Sequence, residues 1–92
     1  MTTHELKLNT KWFEAVASGA KKNEIRKDDR GGFKAGDCLI LKEIDYNDND
    51  GLYYTGRRII VKITHVLTAK QFPEGIKTGY AILSLDKPVV ME

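Results

Sequence analysis

The chain has 92 residues, with 15 basic and 13 acidic side chains, and is 41% apolar and 30% charged. That length holds one core and excludes a second domain, so one domain over 1–92 is expected. The composition excludes disorder, and a net charge of +2 excludes nucleic-acid binding driven by bulk charge alone.

Glu5-Leu6-Lys7-Leu8 alternates with period two and predicts a short first strand. Asn9 or Thr10 then offers a side-chain oxygen to the free N–H groups of a helix start. Trp12, Phe13, Val16 and Ala17 follow at helical spacing, and Gly19 suits a left-handed cap, so a helix is predicted over 10–18 with both aromatics in the core. Lys21 to Lys27 is read as a strand, 28–32 and 34–37 as turns, and Cys38 to Ile44 as a strand. Asp50-Gly51 marks a hairpin turn. Its partner strand begins at Tyr53 or Tyr54, is interrupted at Gly56 and runs to Leu67. On it Ile59, Val61, Ile63, His65 and Leu67 share the predicted core face. A loop over 68–77 leads to a last strand, Tyr80 to Leu85, and an irregular tail from Lys87. One helix cannot cover a large open sheet, so the expected fold is α+β: a small β-barrel of five or six mostly antiparallel strands plugged by the helix.

Cys38 is the lone cysteine, which excludes an internal disulfide and suits a reducing compartment. It opens an apolar run, so a buried structural thiol is expected. The N-terminus lacks the apolar stretch of a signal peptide, and no apolar run exceeds four residues, so no membrane partner is expected. Charge is unevenly spread. Segment 19–34 is rich in Lys and Arg, segment 57–70 carries Arg57, Arg58, Lys62 and Lys70 without an acid, and segment 43–50 carries four acids without a base.

Lys21, Glu24 and Arg26 permit two readings. They form a polar cluster at a cleft mouth, with Arg26 on a phosphate or base edge, or a salt bridge on a solvated strand. In an extended segment Glu24 and Arg26 share a face, and Lys21 joins them only if the chain is re-aimed before the strand. Arg57 and Arg58 point to opposite faces. They suit phosphate or a charged strand that deters aggregation. Tyr53, Tyr54 and Tyr80 offer stacking surfaces or ordinary strand packing. Two histidines and one cysteine without paired spacing give no metal site, and His65 reads as a core histidine. No cofactor motif is present, since Gly31-Gly32 lacks the lysine of a P-loop.

The run Gly19-Ala20-Lys21-Lys22-Asn23-Glu24-Ile25-Arg26 resembles the signature of ASCH domains of the PUA-like superfamily. His4-Glu5-Leu6-Lys7 before the helix, Phe33-Lys34-Ala35-Gly36-Asp37 before a strand, Tyr54-Thr55-Gly56-Arg57 and Gly79-Tyr80 extend the likeness from His4 to about Leu85. Together they look like a small branch of ASCH-like proteins found in bacteria and their phages. The resemblance implies a barrel with a cleft beside the signature strand and binding of RNA or a nucleotide. Its candidate contacts are Lys21, Lys22, Glu24, Arg26, Arg57, Tyr54, Tyr80 and His4, in a cytoplasmic monomer of a bacterial or phage-infected cell. Some small ASCH proteins are amidohydrolases on acetylated cytidine, using the signature lysine, a threonine three residues on and a later glutamate. Lys21 matches the lysine, Glu24 stands at the threonine position, and Glu43 and Glu74 are the later glutamates available. An enzyme would use Lys21 and Glu24 as its catalytic pair. A third reading is a protein-interaction module whose partner is a host protein.

Overall fold

The computed structural model describes residues 1–28 and 32–92. Residues 29–31, inside the turn expected over 28–32, lie outside the described set. The element order is β1 (Thr3–Asn9), α1 (Thr10–Ala17), β2 (Asn23–Lys27), β3 (Cys38–Asn47), β4 (Gly51–Thr68), β5 (Tyr80–Leu85) and β6 (Val89–Met91).

Local signals set the helix. Asn9 has extended backbone (φ −60°, ψ 145°) and its side chain accepts from the Lys11 N–H at 3.0 Å, satisfying a donor that the helix itself leaves free. At the other end Gly19 takes φ 83° and its N–H donates to the Val16 carbonyl, a turn that a β-carbon would strain. Phe13 and Val16 are buried, whereas Trp12 is 48% exposed, which corrects its expected place in the core. Trp12 stands at the margin of the apolar stripe, and a helix of this length fills the core from its centre alone.

The strands run β1-β3-β4-β5-β2, with β6 also on β4. β1 pairs parallel with β3, and the other pairings are antiparallel. Among the described residues no pairing joins β1 to β2, so the sheet is not the closed barrel expected. Its two edges are left facing each other across a seam. The tail expected to be irregular supplies β6, which pairs with Arg58 to Ile60.

β4 is the spine. Its 18 residues, laid straight, would span roughly 56 Å, yet the longest extent of the molecule is 42 Å. Two bulges bend it. At the first, Glu43 of β3 faces Thr55 to Arg57, because Lys42 pairs with Arg58 and Ile44 with Tyr54. Gly56 has φ 98° there, so the expected interruption is a bulge within one continuous strand. At the second, Thr64 is the extra residue between the Ile63–Leu85 and His65–Ser84 pairs. This slip reverses the faces beyond it. Ile59, Val61 and Ile63 are buried as expected, but His65 is exposed and Val66 packs on the core. His65 is therefore not a core histidine.

The core joins Leu8, Phe13 and Val16 to Leu39, Leu41, Ile59, Val61, Ile63, Ala81 and Leu83. Each fully buried large side chain contributes about 1.5–3 kcal/mol. Cys38 is half-buried and free. No helix among the described residues is long and apolar enough to cross a membrane.

Candidate nucleotide-binding cleft

The run Gly19 to Arg26 begins just past the end of α1 and enters β2, ending one residue before that strand does. The Lys21 N–H donates to the Ala15 carbonyl, which turns the chain back along the helix and re-aims Lys21 before β2 begins. Within β2 the usual preference is inverted, since Glu24 is 4% exposed and Ile25 is 60% exposed. An ionised carboxylate is buried at acceptable cost only when its oxygens are matched. Here Lys21 Nζ donates to Oε1 at 2.7 Å and Arg26 Nε to Oε2 at 3.1 Å. Lys21 also donates to the Asn23 carbonyl. Arg26 then reaches across the seam, where Nη2 donates to the Lys7 carbonyl of β1 at 2.8 Å.

Lys21, Glu24 and Arg26 therefore converge in one concavity of about 430 Å³ between β1 and β2, whose lining also includes Lys7, Asn9, Trp12 and Asn23. Trp12 carries Lys11 Nζ 5.0 Å from its ring. Beyond Arg26 the seam widens into a second cavity of about 790 Å³ along Thr2 to Lys7, Arg26 to Asp28, Gly32 and Phe33. His4 lines it, held by Asp37 Oδ2 at 2.9 Å and against the Phe33 ring at a centroid distance of 4.6 Å. Asp37 also accepts the N–H groups of Thr2 and Lys34 at 3.0 Å. The His4 hydrogen bond, followed by that of Thr2, lowers its pKa to about 2 against the opposing effect of burial.

The other candidates lie elsewhere. Lys22 is exposed, and its carbonyl accepts the Leu85 N–H. Tyr80 is half-buried on β5 opposite Lys27, with Lys77 Nζ 5.5 Å from its ring. Tyr54 and Arg57 border a separate concavity of about 280 Å³ with Lys42, Gly56 and Arg58. The Arg57 guanidinium is committed to Glu43, with Nε to Oε1 at 2.8 Å and Nη2 to Oε2 at 2.7 Å, and it also bonds Glu14. It lies 4.8 Å over the Phe13 ring. Glu43 is buried and also accepts from Thr55, the first residue of the bulge that faces it. The Arg57 hydrogen bonds hold the Glu43 carboxyl below the ordinary carboxylate range, against burial, and Glu43 raises the Arg57 pKa in return. Glu74 is exposed in the loop before β5. Among the described residues no group of three or more His, Cys, Asp or Glu could hold a metal.

Sequence reasoning missed Trp12 and Asn9 as cleft residues. The signal available was that Trp12 directly precedes Phe13, so the two rings stand about 100° apart around the helix and cannot both face the centre of the core.

Residues 3–85 match the family model described as a domain of unknown function (DUF3850). A protein of Escherichia phage P2, named "Uncharacterized 12.9 kDa protein in GpA 3'region", is 34% identical over 89 residues, covering 97% of this chain and 76% of the phage protein. By the family match, which takes in most of its length, the chain belongs to the DUF3850 family.

Proposed function

We propose that this protein is a binding module of the ASCH, PUA-like kind that takes RNA or a nucleotide in the cleft between β1 and β2. The observation that carries the reading is the convergence of Lys21, Glu24 and Arg26 beside an exposed Trp12. An exposed indole is a stacking platform for a base. Lys21 and Arg26 are cations within reach of its phosphate, and the Asn9 and Asn23 side chains can pair with base edges. The cytoplasm of a bacterial or phage-infected cell is part of the same proposal.

The amidohydrolase alternative finds less support. A lysine becomes a nucleophile when it is desolvated or crowded by cations. Lys21 instead has two acceptors, Glu24 and the Asn23 carbonyl, the setting of a charge contact. Glu43 is committed to Arg57 and Thr55 and does not line the Lys21 cavity.

The test is titration of labelled single-stranded RNA at several salt concentrations. About three phosphate contacts in the cleft alone should make log K fall against log salt with a slope of roughly −2, and any contact outside the cleft should steepen it. Trp12→Ala should lose about 1–3 kcal/mol of binding, the worth of one stacked base. Arg26→Ala should also weaken binding, and Lys87→Ala should not. Wild-type protein that binds no RNA at low salt, or that deacetylates acetylated cytidine in a Lys21-dependent way, would overturn the reading.

A further inference from the structure

The outward face of the sheet carries an arrangement that folding does not explain. Lys7 of β1 pairs in register with Lys42 of β3, and Lys42 pairs with Arg58 of β4. Directly paired residues point to the same face, so three cations stand in one row across three strands. Neighbouring strands lie about 4.8 Å apart, so the row spans roughly 10 Å. Like charges directly opposite each other destabilise a sheet. Among the described residues the only carboxylate paired with this row is Glu5, on Lys42 at 2.7 Å. Protection of an exposed edge accounts at most for Lys7, because β3 and β4 are interior strands.

Two further features point to an occupant. Tyr54 is 56% exposed with Lys42 Nζ 5.8 Å from its ring. The bulge at Gly56 hollows the surface there into the concavity of about 280 Å³ that Lys42, Tyr54 and Arg58 border. The row is also continuous with the cleft. Lys7 lines both seam cavities, and its carbonyl holds Arg26.

We infer that the Lys7–Lys42–Arg58 row with Tyr54 is a second contact surface for single-stranded RNA, which leaves the cleft over the β1 edge and crosses the outer face of the sheet. The inference rests on the cleft reading and deepens it, because the ligand is then a polymer rather than a mononucleotide. Successive phosphates lie along the cations, and a base stacks on Tyr54.

The experiment compares a labelled oligouridine with uridine monophosphate, which reports on the cleft alone. In Lys42→Gln/Arg58→Gln the salt slope for oligouridine should shrink by about 0.7 for each cation removed, about 1.4 in all, while binding of the monophosphate is unchanged. The charge-keeping Lys42→Arg/Arg58→Lys should retain the wild-type slope. Denaturation midpoints show that each variant folds. An unchanged slope in the Gln variant, with Trp12→Ala still weakening both ligands, overturns the row and leaves the cleft reading intact. A reduced slope with Trp12→Ala and Arg26→Ala silent toward both ligands overturns the cleft instead. Polyglutamate competing as well as oligouridine would overturn the assignment to nucleic acid.

Discussion

Asp37 shows how much one buried carboxylate can organise. It gathers the Thr2 and Lys34 N–H groups and the His4 ring, and so ties the start of β1 to the turn that launches β3. Its pKa is lowered to about 2 in the folded protein, against about 3.9 for a free aspartate. The unfolded chain therefore takes up this proton at a higher pH than the folded one. The stabilisation is complete above about pH 4 and is lost as pH falls through about 2. Asp37→Asn should be less stable than wild type at neutral pH, and the gap should narrow between about pH 4 and pH 2. Denaturant midpoints at a series of pH values measure this. A gap of constant size down to the lowest pH would show that the carboxylate charge is not responsible.

At the level of elements, the bulges of β4 matter more than its length. The first wraps Thr55, Gly56 and Arg57 around the single residue Glu43, so the partners of a buried acid come from one kink. Gly56 makes the kink possible at φ 98°, with open space where a β-carbon would sit. Gly56→Ala therefore meets backbone strain alone, and should cost about 1–3 kcal/mol, read as a lower chemical-denaturation midpoint. An unchanged midpoint would mean that the bulge tolerates a side chain.

The same elements show what a sequence can and cannot reveal. Helix α1 was legible because its signals are local: Asn9, the spacing of Phe13 and Val16, and Gly19. The Ile59, Val61 and Ile63 face was legible because alternation holds up to the second bulge. Thr64 is an ordinary strand residue, so nothing in the sequence marks the slip that exposes His65. The closeness of Lys21, Glu24 and Arg26 could be suspected from their spacing. The burial of Glu24 and the reach of Arg26 to Lys7 could not, because both depend on strands that are far apart in sequence and meet only at the seam. Arg57 looked free for phosphate for the same reason, since its partners Glu43 and Glu14 are distant along the chain.

For the molecule as a whole, the open seam and the single spine have linked effects. The seam supplies the cleft, and β4 keeps the two sides of the molecule from separating, because β3 lies along one stretch of it and β5 along another. The β3–β4 turn adds a consequence for chain continuity. Asn47 Oδ1 accepts the N–H groups of Asn49 and Asp50, and Gly51 follows at φ 73°, so the turn is held by its own side chains and buries none of residues 48–50. A cut there would divide the protein into 1–48, with β1, α1, β2 and β3, and 49–92, with β4, β5 and β6. Each piece holds strands whose main partners are in the other: β3 needs β4, and β2 needs β5. The two halves interlock like the parts of a clasp. They should be unfolded alone and should reassemble on mixing into a complementing pair with the near-ultraviolet signal of the buried Phe13 and the Trp12 cleft. A piece that folds without its complement would show that the spine does not unite the two sides.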